Sequence, residues 1–301
     1  MNNPLISIVV PNFNYGRFLG EALESVLSQE CIHMCELIVV DASSTDDSME
    51  IIRRKAGAEV EVVFIGNSAW HVCERLTWIS EADDGQSDAF NKGFGFAHGK
   101  YFTWLNSDEM YTPGALRSIV ECISKRPDVD WITANDFSFL DDNRIISSLC
   151  WGPHRQVSFF TRNRVPSVVF GPSSFFSRKA FERVGGFDVN LKYGMDTDLW
   201  SKLLNAGYYQ VRVNRFCWAF RWHSQSKTFG TETSSVRAEK VHEAAYLMNQ
   251  NAFRYKRSLT NIYYLIWIAW RLFDGSLIMK YIMRYRYVGK NVAAIMNSYR
   301  R

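Results

Sequence analysis

At 301 residues, 47% of them hydrophobic and 22% charged, the chain has enough apolar side chains for a full core and too many for a disordered segment. The net charge of +4 is unevenly placed: from Val236 onward twelve Lys/Arg stand against three Asp/Glu, a net +9, so the first 235 residues carry −5 and no nucleic-acid partner is expected of that acidic body. Six scattered cysteines contain no Cys-x-x-Cys pair, which argues against a zinc ribbon or a disulfide framework and suits a reducing cytoplasm.

Met1-Asn2-Asn3-Pro4 leads straight into a short strand, so no signal peptide is expected. Residues 6–10 form a β-branched run closed by Pro11, which reads as a buried parallel strand ending in the loop Pro11-Asn12-Phe13-Asn14-Tyr15-Gly16. Phe18, Leu19, Ala22, Leu23, Val26 and Leu27 then recur at helical spacing. Residues 36–40 predict a second buried strand ending on Asp41, followed by a helix with Ile51 and Ile52 inward and Thr45 or Asp46 as its N-cap. Residues 61–65 are a third strand candidate and 78–81 a short fourth. The polar loop 82–93 runs into a helix with small residues; Asp84 and Gln86 there could approach a ligand, and helix–sheet packing explains the Gly and Ala equally well.

Tyr101-Phe102-Thr103-Trp104-Leu105 is a further strand that stops at Asn106-Ser107-Asp108-Glu109. Taken alone, this reads most simply as a strand ending in a polar turn. The strand–helix alternation, however, predicts a parallel sheet covered by helices, and such sheets bind ligands outside the carboxyl ends of their strands. Pro11, Asp41 and Asp108 all lie at such ends, and a carboxylate on a rigid strand tip suits a hard divalent cation.

With these stretches the sequence resembles the family 2 glycosyltransferases, nucleotide-diphospho-sugar enzymes of the GT-A fold. The resemblance runs from Ile6 to about Gly230 in the right order: the proline loop, the acidic turn at Asp41, the triplet Asn106-Ser107-Asp108, the segment Val184-Gly185-Gly186-Phe187-Asp188 and the cluster Met195-Asp196-Thr197-Asp198. It implies an α/β, Rossmann-like fold with a mostly parallel central sheet over 1–230 and a helical extension over 231–301. It also implies Mn²⁺ or Mg²⁺ held by Asp108, and by His223 if the segment 220–228 is the late loop that closes over the donor. Pro11, Phe13, Asp41, Asp84, Gln86 and Ser107 would form the nucleotide site, with Asp41 on the pyrimidine. Asp196 would be the general base of an inverting transfer from a UDP-sugar to a saccharide or lipid-linked acceptor in cell-surface polysaccharide assembly.

Three positions depart from the family pattern. Ala42 follows Asp41 where a second acid is common; Ser107 leaves Asp108 the sole central ligand unless Glu109 helps; and Met195 replaces an acid beside Asp196, which should lower the base's pKa relative to relatives that have it. These keep a catalytically degenerate nucleotide- or glycan-binding relative in view. A sugar nucleotidyltransferase would want a glycine-rich basic loop where Pro11-Asn12-Phe13-Asn14 stands. Arg221 or Lys227 could touch phosphate, Asp188 should cap a turn, and Arg178, Lys179 and Arg183 should form a solvated helix face. Sugar specificity should lie in pocket shape contributed by 70–78 and 165–177. From Val236 the pattern is helical, and the apolar run 262–270 is too short to span a bilayer. Packing of this aromatic, basic tail on the catalytic domain or on a second subunit is the expectation, and peripheral contact with the inner face of a membrane the alternative.

Overall fold

The structure, a computed structural model, describes residues 3–57, 61–65, 67–74, 76–149, 171–227, 233–249, 265, 268–269, 272–273 and 276–299. The first unit is β1 (Ile6–Asn12), α1 (Gly16–Leu27), β2 (Cys35–Asp41) and α2 (Ser48–Ala56). A meander β3 (Glu61–Ile65), β4 (Ser68–Val72) and β5 (Thr77–Ser80) leads to α3 (Gln86–Phe96) and β6 (Tyr101–Trp104). Then come β7 (Met110–Tyr111), α4 (Ala115–Lys125), β8 (Trp131–Leu140) and β9 (Ile145–Leu149). After the undescribed stretch follow β10 (Ser174–Ser177), α5 (Arg178–Val184), α6 (Met195–Asn205), β11 (Val211–Trp222), α7 (Ser234–Asn249), α8 (Ser276–Tyr287) and α9 (Ala293–Tyr299).

The strands form one sheet in the order β3-β4-β5-β2-β1-β6-β10-β8-β11-β7, with β9 paired to β8. Its centre, β5-β2-β1-β6, is parallel, and β8 and β11 are parallel to each other. Antiparallel β10 is wedged between β6 and β8, so β8 and β11 run in the same direction as β1. All these strands therefore deliver their carboxyl ends to one edge.

The two-residue period of the strands splits the core between the two faces. Ile6, Ile8 and Val10 of β1 with Leu37 and Val39 of β2 pack against α1, α2 and α4, whereas Val9, Ile38 and Val40 pack against α3, α5 and α6. Gly93 of α3 is needed for that second contact: a Cβ there would lie 2.5 Å from a Val9 methyl, so helix–sheet packing explains this glycine. A third cluster joins Phe137, Phe139 and Phe216 of β8 and β11 to Tyr287, Val292 and Ile295 of the C-terminal helices.

Several expectations change. Helix α2 begins at Ser48 behind Asp47, not at Thr45 or Asp46, and no side chain makes a cap there. Asp46 instead accepts from Ser48 N (3.0 Å) and Gly16 N (2.8 Å), joining the starts of α2 and α1. Arg178 is not part of a solvated face: its guanidinium donates to the Gly99 (3.1 Å) and Ala97 carbonyls and lies over the Phe102 ring. Residues 220–222 belong to β11, so the late loop starts at His223. Strands β4 and β7 to β10 carry no signal that the alternation of the first hundred residues predicts. Trp70 and Trp78, expected to shape the donor pocket, stack instead on Phe96 and His71; residues 165–170 and most of the 262–270 run lie outside the described residues. No described helix is long and apolar enough to cross a membrane.

Candidate active site

The carboxyl edge is built on Asp41. Asn12 lies opposite Asp41, and Asp41 opposite Ser80, in the parallel register of β1, β2 and β5. The Asp41 carboxylate is buried and accepts from Asn12 Nδ2 (2.8 Å), Ser44 Oγ (2.6 Å), Ser44 N (3.0 Å) and Ser80 Oγ (2.7 Å). Four donors fill the lone pairs of two oxygens. Asp41 is thus a structural hub that fixes three strand ends, with four donors already on its carboxylate. Asn14, held at φ 56°, accepts from Thr45 N (2.8 Å) and ties the proline loop to the acidic turn.

Above this platform opens a cavity of about 330 Å³ lined by Pro11, Phe13, Tyr15, Gln86, Ser107 and Asp108 among others. Phe13 is 57% exposed there, a free aromatic face at a strand end. Asp84 is not in the lining; its neighbour Asp83 is, because Gly85 at φ 111° turns the chain so that α3 starts at Gln86. The Tyr15 hydroxyl donates to the Gln225 carbonyl (2.7 Å), linking the first loop to the late loop. Burial, and then the Asp108 charge, push the Tyr15 phenol up to about 12.

His223, carried to the same edge by β11, places Nε2 2.9 Å from Asp108 Oδ2. Its ring is buried against Phe18 (centroids 4.6 Å apart) and Tyr15 (5.7 Å), and its Nδ1 has no hydrogen-bond partner. Adjacent ligands of an octahedral ion bound at ~2.1 Å stand ~3.0 Å apart, and the Asp108–His223 spacing matches that edge. Among the described residues no three His, Cys, Asp or Glu side chains gather as a ready-made metal centre. The pair therefore fits a cation that draws its remaining ligands from substrate oxygens and water. Glu109 lies next to this pair and lines both cavities. It is buried and accepts from Trp218 Nε1 (2.8 Å), and burial together with the Asp108 charge holds its carboxyl well above the usual range. Arg221 is not a phosphate contact: it donates to the Asp108 carbonyl (3.1 Å), pairs with Glu21, and is stacked over Phe18 and Phe139.

A second cavity of about 440 Å³ adjoins the first, the two sharing Gln86, Asn106, Glu109, Phe220 and Lys227. Across this shared wall Lys227 Nζ donates to Gln86 Oε1 (3.1 Å) and Gln86 Nε2 to Asn106 Oδ1 (2.7 Å). Asp196 lines the second cavity with Met195, Lys192 and Tyr193, and so do Asp136, Ser138 and Ser147 and the aromatics Trp104, Trp218 and Trp222. Burial raises the Asp196 pKa against the opposing bonds from Thr197. Asp136, buried on β8, is pushed up to about 7 by burial, with Arg212 opposing. The one signal in the sequence is that Asn135-Asp136 interrupts a largely apolar strand, and a buried carboxylate needs a reason.

Two devices hold Asp196. Trp200, one helical turn later, is sandwiched between Trp104 (5.6 Å) and Trp131 (5.3 Å). Glu243 of α7 is buried and accepts from Lys192 N (2.6 Å), Tyr193 N (2.8 Å) and Gly194 N (2.8 Å), the residues just before α6. Nothing in the sequence marks Glu243. The Gly185-Gly186 pair has its own reason: both adopt left-handed φ (79° and 69°), and a Cβ on Gly186 would meet Asn91 Oδ1 at 2.9 Å. Asn91 bonds both the carbonyl (2.9 Å) and N–H (3.1 Å) of Phe187, and Asp188 caps the following turn through Asn190 N (2.9 Å).

The sequence profile of glycosyl transferase family 2 matches residues 7–185, more than half of the chain, and that of glycosyl transferase family group 2 matches residues 101–296. An uncharacterized glycosyltransferase of Rickettsia prowazekii is 27% identical over 207 residues, covering 66% of this chain and 58% of its own length. The hyaluronan synthase of Pasteurella multocida is 22% identical over 216 residues, 71% of this chain and 20% of its own length. This chain thus spans less than two thirds of these relatives. Among solved structures, S. aureus TarS 1–349 in complex with UDP-GlcNAc superposes with a TM-score of 0.62 at 14% identity, over 86% of this chain and 70% of that one. The mannosyltransferase PcManGT from Pyrobaculum calidifontis, with GDP-Man and Mn²⁺, gives 0.52 at 18% identity, over 90% and 87%. At these identities the likeness establishes the fold, the α/β GT-A fold.

Proposed function

The chain belongs to glycosyl transferase family 2, and from that premise we propose that it is an inverting glycosyltransferase that moves a sugar from a nucleotide diphosphate, a UDP-sugar in the first instance, to a saccharide or lipid-linked hydroxyl acceptor in cell-surface polysaccharide assembly. The observation that carries the reading is the pair of adjoining cavities, one holding Asp108 in the turn between β6 and β7 and the other Asp196 at a helix start.

Phe13 stacks on the base and Ser107 bonds the nucleotide. Lys227 and Gln86, at the junction, face the place where diphosphate meets sugar. Asp108 and His223 would hold Mn²⁺ or Mg²⁺, which would supply positive charge against that gathering on the leaving diphosphate. The acceptor hydroxyl enters the second cavity, where Asp136 and Ser138 accept and donate hydrogen bonds and the tryptophans cover the apolar sugar faces. As its oxygen bonds the anomeric carbon, the bond to the diphosphate oxygen breaks with its electron pair, and the hydroxyl proton passes to Asp196. Attack opposite the leaving group inverts the anomeric centre. Nothing in the proline loop suits a nucleotidyltransferase, and the degenerate-relative reading is disfavoured because both Asp108 and Asp196 reach a cavity.

The test is calorimetric titration with UDP, GDP, dTDP and CMP, each with Mn²⁺ and with EDTA. Metal-dependent binding of one diphosphate, lost in Asp108→Ala, is expected. Absence of binding to every nucleotide would sink the reading in favour of a degenerate relative.

A further inference from the structure

Helix α8 carries Ile278, Tyr281, Ile282 and Tyr285 at positions i, i+3, i+4 and i+7, which places them on one stripe. They are 55, 61, 51 and 93% exposed. Tyr287, on the other side of the helix, is buried in the third core cluster with Ile145 and Phe137. The helix is thus seated on the body by one side and presents its apolar stripe outward. Exposed Arg284 and Arg286 fall on opposite flanks of the stripe at 3.6 residues per turn. After Asp274 the sequence holds no acid and six Lys/Arg.

We propose that this stripe docks on an anionic lipid surface. Isoleucines between tyrosines suit the boundary between acyl chains and headgroups, where Tyr keeps its hydroxyl wet. Arginines flanking such a stripe extend to lipid phosphates, and the helix itself carries no acidic side chain to repel those phosphates. A second copy is the poorer occupant, because a two-fold contact through the stripe would set like-charged arginines against each other. Helix α8 packs on β9, whose Ser147 lines the cavity that holds Asp196. Docking therefore holds the acceptor half of the site at the lipid surface, which, on the transferase reading, makes a lipid-linked saccharide the acceptor class. That consequence rests on the proposed function; the docking does not.

The experiment is flotation of the full chain with vesicles of phosphatidylcholine alone and with about one third phosphatidylglycerol, compared with the double variant Tyr281→Ser/Ile282→Ser. Binding to the anionic vesicles only is expected, weakened about tenfold or more in the variant and in roughly 1 M salt, with nucleotide titrations unchanged in the variant as proof of folding. No flotation on anionic vesicles, or equal flotation of both proteins, overturns the proposal. So does a dimer that the variant dissolves while neither protein binds vesicles, which would assign the stripe to a second copy. Vesicle binding by a chain that binds no nucleotide would leave the docking standing and the transferase reading fallen.

Discussion

On the proposed mechanism Asp196 accepts the proton only while ionised, and burial raises its pKa despite the Thr197 bonds and the absence of an acid at Met195. A raised pKa makes it a stronger base and moves the acid limb of kcat/KM above the usual carboxylate value of about 4. Asp196→Asn should abolish that limb and lower transfer by about 10²–10⁴-fold while leaving nucleotide affinity intact, read by product formation and by titration. Asp41 behaves differently although it also sits at a strand end. Its side chain satisfies four donors, so Asp41→Ala should cost about 2–4 kcal/mol of stability, read as a lower denaturant midpoint. The two aspartates could not be told apart by residue type. What separates them is how many partners each already has.

At the scale of elements, the site depends on how α6 is mounted. Its first turn carries Asp196, its middle is clamped by Trp200 between two tryptophans, and its approach is held by Glu243. Three successive backbone N–H groups converge on one carboxylate, so Glu243→Ala should free residues 192–194 and misplace the base. The expected result is a fall in kcat of about ten- to a hundredfold with unchanged nucleotide affinity, partly restored by Glu243→Gln, which keeps one of the two acceptor oxygens. A purely structural role would lower the melting midpoint and leave kcat of the folded fraction intact. Strands β1, β2 and β6 were legible because buried parallel strands are continuous apolar runs. Strands β4 and β10 were not: Ser68-Ala69-Trp70-His71-Val72 and Ser174-Phe175-Phe176-Ser177 become strands through their pairing with neighbours rather than through a period of their own.

Over the whole molecule, the first cavity is closed by loops distant in the chain, joined through Tyr15 to Gln225, 210 residues apart, and through His223 to Asp108, 115 residues apart. A ligand that touches both adds its binding energy to the folded state alone. UDP with Mn²⁺ at a hundredfold excess over Kd should therefore stabilise the chain by about 2.7 kcal/mol and raise the melting midpoint by roughly 4 °C, with no such rise in EDTA. The sequence by itself determined the α/β alternation, the strand end at Asp41 and the ordered motifs of the family, because these rest on hydrophobic period and local turn chemistry; β1 in fact runs through Pro11 to Asn12, and Asp108 lies in the turn after β6. Only the tertiary structure decided which of those carboxylates faces a cavity, that Asp136 and Lys227 join the site, that Arg221 and Asp41 are already satisfied, and that the α8 stripe is uncovered. Those facts depend on partners distant in the chain, and no local pattern encodes which distant donor will reach a given oxygen.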